Sequence, residues 1–170
     1  EELEGKVALL GQEGLRWHMV GHVQGRKARG VAGLADMIHS VDSVRLAERI
    51  ARAGVDRGRN VAILAQVNTS GEGGKQGLPH AGAEEAVLAM AELPGLSLEG
   101  LMTMAPLTDE TRVLSATFAR LRELRDRLIA RSDQIGGELS MGMTNDLAVA
   151  VREGSTMVRV GTALFGERGA

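Results

Sequence analysis

The sequence predicts a parallel α/β fold, a (β/α) barrel of the TIM type shortened to about six βα units. Three observations predict it. Short apolar runs of strand character recur at residues 17–20, 37–38, 61–67, 96–102, 138–140 and 157–160, and each is followed by a segment of helical pattern, the alternation that builds βα units. The run at 61–67, VAILAQV, is apolar at nearly every position, as a strand covered on both faces must be. The last two runs each lead into a glycine-bearing turn that opens a helix-like segment, which gathers backbone N–H groups at a strand end and makes a ready site for an anion such as phosphate.

Composition bounds the rest. With 170 residues, 44% hydrophobic content and net charge −2, the chain is long enough for one core and short for two, so a single domain over 1–170 is expected. Its 20 basic and 22 acidic residues are interspersed, which argues against a nucleic-acid footprint or a polybasic membrane patch and leaves small-molecule chemistry as the default. No cysteine is present, so disulfides, thiolate metal sites and a cysteine nucleophile are excluded. No apolar run approaches the roughly 20 residues that span a bilayer, and the start lacks a signal-peptide pattern; a cytoplasmic protein is expected. Trp17, Phe118 and Phe165 are the only aromatics, and the absence of tyrosine removes that side chain from the possible acids and bases.

Taken in order, residues 1–10 read as a helix with no N-cap and no preceding strand, which suggests that two βα units are missing ahead of them. After the run at 37–38, Asp42 or Ser43 can cap a helix whose Val44, Ala47, Ile50 and Ala51 share one face and which Gly54 can end. The longest helix is expected over about 110–130, with Leu114, Phe118, Leu121, Leu124 and Leu128 in one stripe and Arg120, Glu123 and Arg127 facing solvent. Six such strands also fit an open doubly wound sheet, and periodicity alone does not separate the two.

Ser140, Met141 and Gly142, with Gly161 and Thr162, form the core of the expected anion site, because both groups follow strands where ligand loops gather. Thr144, Asn145 and Asp146 supply caps for the next helix. The plainer reading is that these glycines only turn the chain. Arg159 stands inside an apolar strand and needs a partner, either a carboxylate of the fold or a ligand; alternation puts it on the same face as Gly161, which favours the ligand. His18 and His22 lack the glutamate of an H-E-x-x-H pattern and do not read as a metal pair; no metal site is expected. His39 reads as a hydrogen-bonded core histidine and His80 as a loop residue. The glycine-rich loop 68–77 reads equally as a binding loop or a surface connection, and Met102 and Met104 read as wall or core.

Six ordered segments, WHMVGHVQGRK (17–27), IHSVDS (38–43), VNTSGEGGKQG (67–77), GLMTMAP (100–106), LSMGMTND (139–146) and GSTMVRVGTALFG (154–166), closely resemble the YggS-like pyridoxal phosphate homeostasis proteins across essentially the whole chain. That family is similar in fold to the N-terminal barrel of alanine racemases and binds pyridoxal 5′-phosphate (PLP) without an established turnover. The resemblance implies that Ser140, Met141, Gly142, Gly161 and Thr162 hold the phosphate and that Arg159 approaches the pyridine nitrogen. An arginine there discourages protonation of the nitrogen and weakens the ring as an electron sink, which suits a carrier better than a catalyst.

One departure stands out. The family's Schiff-base lysine lies in a V-S-K-like motif on the first barrel strand, and an F-G-E-N-like motif follows the second; neither occurs here, and Lys6, Lys27 and Lys75 do not take over the role. No catalytic residue is therefore assigned, and the chain is expected to be an N-terminally incomplete PLP-binding barrel domain that holds the cofactor noncovalently. The leading expectation is PLP binding and homeostasis, with PLP-dependent apoenzymes as candidate recipients and a monomer as the family's state. A PLP-dependent amino-acid racemase is the alternative; alanine racemases set a tyrosine of a separate domain opposite the lysine, and this chain has no tyrosine. A barrel enzyme acting on a sugar phosphate ranks third, since no acid–base pair stands near the glycine turns.

Overall fold

The computed structural model describes residues 2–11 and 13–166. Helix α1 (Glu2–Leu10) precedes strand β1 (His18–Met19), a 3₁₀ turn (Gly25–Lys27) leads into α2 (Ala28–Leu34), and β2 (Met37–Val41) is followed by α3 (Val44–Val55). Then come β3 (Val61–Asn68), the short β4 (Leu78–Pro79), α4 (Ala83–Ala91), β5 (Leu96–Met102), α5 (Thr111–Arg131), β6 (Ile135–Met143), α6 (Leu147–Arg152), β7 (Met157–Arg159) and α7 (Thr162–Phe165). No described helix is long and apolar enough to cross a membrane.

Strand order decides between the two architectures left open above. All pairings are parallel and run β1-β2-β3-β5-β6-β7, with β4 added only at the end of β3. A doubly wound sheet must reverse direction at a switch point. This order never reverses, and the sheet forms a half-barrel with helices, as a TIM-type fold requires.

Period-two alternation divides the core into two faces. On β3, Val61, Ile63, Ala65 and Val67 join the large cluster built with the helices, while Leu64 joins Met37 and Met102 in a small cluster against which Ala62 and Met157 pack. The second cluster marks the inner face of the arc. α5 supplies Leu114, Phe118, Leu121, Leu124 and Leu128 to the outer layer, the stripe that its sequence predicts.

Local rules account for most element ends. Ser43 caps α3, its hydroxyl accepting from the Leu46 N–H at 3.3 Å. Gly54 does not end that helix; it lies within α3, which runs to Val55. A Cβ on Gly54 would stand 2.2 Å from the Gly95 carbonyl oxygen, so the glycine serves the close approach of α3 to the chain entering β5. β2 extends past residue 38 to Val41, and β6 runs from Ile135 to Met143 instead of covering 138–140 alone. Both extensions carry polar or glycine residues that a hydropathy pattern reads as loop.

Candidate functional site

A cavity of about 770 Å³ opens where β5, β6 and β7 end. Its walls are the segment from Met104 to Leu107, the turn from Met143 to Asp146, and Gly161, Thr162 and Phe165, with Glu2 and Lys6 of α1 reaching one side. Loops after strand C-termini form the ligand face in barrel architectures, so the position alone marks the cavity as the first candidate. Asp146 accepts a hydrogen bond from the Met143 N–H and ties the turn closed. α7 is a single turn of four residues; it offers the individual N–H groups of its first residues, which have no intrahelical acceptor, more than any helix dipole.

Beside this cavity a chain of polar side chains crosses the inner face. Arg159 shares the side of β7 that carries Met157, and its Nη1 donates to Ser140 Oγ at 2.7 Å while Nη2 donates to the Thr103 carbonyl at 3.0 Å. Ser140 Oγ lies 2.8 Å from His39 Nδ1, and His39 Nε2 lies 2.9 Å from His18 Nδ1. The Thr103 hydroxyl donates to the Val67 carbonyl at 2.8 Å and meets the Thr69 hydroxyl at 3.0 Å, which extends the network to β3. Ser140 and His39 are 0% and 3% exposed, so the middle of this network is shielded from water, while His18 and Arg159 at its ends are partly buried.

Electrostatics follow from that burial. His39 is pushed down to about 4, first by burial and then by His18 and Arg159. His18 is lowered by burial and by Arg16, with Asp36 opposing. Arg159 is lowered by burial against the pull of Asp146, yet a guanidinium keeps its charge at any ordinary pH. Among the described residues no carboxylate lies within 4 Å of Arg159. Its two bonds go to neutral oxygens, the Ser140 hydroxyl and the Thr103 carbonyl.

The residues expected from sequence are distributed unevenly. Gly161 and Thr162 line the cavity; Ser140, Met141, Gly142 and Arg159 are not among its lining residues. Ser140, Met141 and Gly142 lie inside β6 and are buried, because the strand continues to Met143, and the turn that reaches the cavity is the one from Met143 to Asp146. Arg159 points inward and meets Ser140, so that pair is brought together. Sequence reasoning missed Phe165 and Lys6 as wall residues and His39 as the bridge from β2 to β6. Only the position of Phe165 after the Gly161–Thr162 turn could have signalled its place. Lys6 pairs with Glu2 at 2.7 Å and Lys75 donates to the Ala105 carbonyl at 3.1 Å, which closes the loop over 68–77 against the segment after β5. His22 lies 3.6 Å from Asp42, away from the His18–His39 contact.

Comparison with known proteins agrees with this architecture. The family described as "Alanine racemase, N-terminal domain" matches residues 8–169. The pyridoxal phosphate homeostasis protein of Pseudomonas aeruginosa is 40% identical over 168 residues, covering 99% of this chain and 71% of its own length. PipY of Synechococcus elongatus, solved with PLP bound, superposes with a TM-score of 0.84 at 36% identity, covering 96% of this chain and 75% of that one. Alanine racemase of Clostridium difficile gives a TM-score of 0.78 at 16% identity over 98% of this chain and 44% of that one, a likeness of fold alone. A solved protein from Bifidobacterium adolescentis is 42% identical with a TM-score of 0.85, and the matched part is 88% of this chain but 60% of that one.

Proposed function

The chain belongs to the pyridoxal phosphate homeostasis proteins, within the alanine racemase N-terminal domain family, and from that membership we propose that it binds PLP at the C-terminal mouth of its strands as a cytoplasmic carrier and regulator of the cofactor. The observation that carries the reading is the inward Arg159, two residues before Gly161: among the described residues it is a permanent cation bonded only to neutral oxygens, close in the chain to Gly161 and Thr162 of the cavity wall.

The residues fit the group. The cavity of about 770 Å³ accommodates a molecule of PLP's size, and its only acid at the turn, Asp146, is engaged by the Met143 N–H. Gly161, Thr162 and the end of β6 would hold the phosphate, with N–H groups and a hydroxyl as donors. Arg159 would stand beside the pyridine nitrogen. When bound, PLP supplies an aldehyde and an electron-withdrawing ring. Arg159 restrains the second property, because a guanidinium beside the nitrogen disfavours a second positive charge. Ser140 and the Thr103 carbonyl hold the guanidinium in place, so this restraint is built into the strand framework.

The carrier reading is preferred to a racemase for two reasons. The relatives that match along nearly the whole chain are named for homeostasis, and an arginine beside the pyridine nitrogen would weaken the electron sink that racemisation needs. PLP-dependent apoenzymes are then the natural recipients. Titration with PLP, inorganic phosphate and pyridoxal tests the site: saturable PLP binding with phosphate as a competitor is expected, whereas no saturable binding of PLP defeats the proposal. Turnover of either enantiomer of alanine would replace it with the racemase reading.

A further inference from the structure

Ser140 Oγ has two neighbours within hydrogen-bond distance, Arg159 Nη1 at 2.7 Å and His39 Nδ1 at 2.8 Å, and it is wholly buried. A guanidinium can only donate, so one Ser140 lone pair is taken by Arg159. Among the described residues the hydroxyl proton then has one acceptor, His39 Nδ1. That nitrogen must be bare, which puts the His39 proton on Nε2, facing His18 Nδ1 at 2.9 Å. His18 in turn carries its proton on Nε2. The four groups form a chain of donors running in one direction, from Arg159 through Ser140 and His39 to His18, and bonds aligned in this way strengthen one another.

The opposite arrangement fails on the same count. With a proton on His39 Nδ1, both of Ser140's neighbours would donate to it, and its own proton would be buried without an acceptor. From this geometry we infer that His39 is a positioning residue for Arg159: a neutral imidazole that accepts from the Ser140 hydroxyl and thereby turns a Ser140 lone pair toward the guanidinium. The inference rests on the reading of Arg159 as the ring contact and adds the device that sets it. The charged and titratable groups around His39 are His18 from β1 and Arg159 from β7; Arg16 and Asp36 act on His18, and Asp146 acts on Arg159. Both direct neighbours oppose a proton on His39, and burial adds to them.

The test uses the whole chain labelled with nitrogen-15 and free of PLP. Imidazole spectra are expected to place the His39 proton on Nε2 at neutral pH, and the Arg159 guanidinium is expected to show separate Nη signals because its rotation is hindered. His39→Phe should merge those signals and weaken PLP binding about tenfold, the scale of one lost hydrogen bond. His39→Gln, whose amide can accept from Ser140 and donate to His18, should restore both. A proton found on His39 Nδ1 would overturn the inference, as would separate Arg159 signals persisting in a folded His39→Phe protein. If His39→Phe does not fold, Ser140→Ala is read for the same loss of Arg159 signals, and their persistence counts against the inference equally. The spectra need no ligand, so wild-type protein that fails to bind PLP defeats the proposed function while leaving this result standing or falling on its own.

Discussion

His39 Nδ1 and Ser140 Oγ lie 2.8 Å apart although their strands, β2 and β6, are separated in the sheet by β3 and β5. In a flat sheet three inter-strand steps span roughly 14 Å. A histidine and a serine cannot bridge that gap, so the contact exists because the strands curl into an arc and bring their inner faces together. The polar chain is thus a consequence of barrel curvature, and it ties the first part of the sheet to the last.

Ser140→Ala should be costly despite the small change in volume. It removes the atom shared by Arg159 and His39 and leaves the Arg159 Nη1 donor on one side and the His39 Nδ1 acceptor on the other without a partner in a buried setting. The expected loss is about 1–3 kcal/mol of unfolding free energy. Urea denaturation checks it; a change under about 0.5 kcal/mol, the size seen at ordinary surface sites, would mean that the chain contributes little to stability.

Gly142→Ala should also destabilise, for a different reason. Gly142 has φ +93°, and a Cβ there would stand 2.4 Å from the Ala150 Cβ of α6. Backbone strain and overpacking together predict a loss of about 2 kcal/mol or more. Gly161 is the control for crowding, since nothing lies within 4 Å of a Cβ built on it. Thermal unfolding of the two alanine variants should separate them, and equal melting temperatures would contradict the packing seen at Gly142.

Acid should weaken the fold through His39. Its pKa is held at about 4 in the folded chain against an ordinary value of 6.5, so the unfolded chain takes up the proton first. Stability from this group is complete above pH 6.5 and is lost as pH falls toward 4, a swing on the order of 3 kcal/mol. Urea midpoints at pH 7, 5.5 and 4.5 should therefore fall more steeply in wild type than in His39→Gln. Parallel slopes would show that other groups carry the acid sensitivity. Glu153, held low by the Ser115 hydroxyl and then by Arg122, contributes in the same direction at lower pH.

How much of this was legible in the sequence depends on what each residue type reports. Val61 to Val67 and the α5 stripe are apolar at the right period, and they emerged as β3 and α5 nearly as expected. The β6 extension was hidden because Gly136, Gly137 and Gly142 carry no side chain that a hydropathy pattern could register, although a Cβ added at each would meet Glu99, Ile129 and Ala150 respectively. The partner of Arg159 was hidden too. Alternation gives the face of a side chain but says nothing of which strand the arc brings opposite, so a bond between residues 39 and 140 follows only from curvature. The wall formed by Phe165 and Lys6 likewise depends on how helices settle over the strand ends.

The phosphate and ring contacts should separate under mutation. Arg159→Lys keeps a positive charge but cannot reach Ser140 and the Thr103 carbonyl with a planar fork, so the charge is no longer fixed. PLP binding should weaken by about tenfold, while inorganic phosphate, which has no ring, should bind as to wild type. Thr162→Val removes a hydroxyl from the cavity wall and should weaken both ligands alike. Equilibrium dialysis with each ligand gives the comparison. If Arg159→Lys weakened phosphate as much as PLP, the guanidinium would belong to the phosphate subsite, and the placement of the ring nitrogen beside it would have to be abandoned.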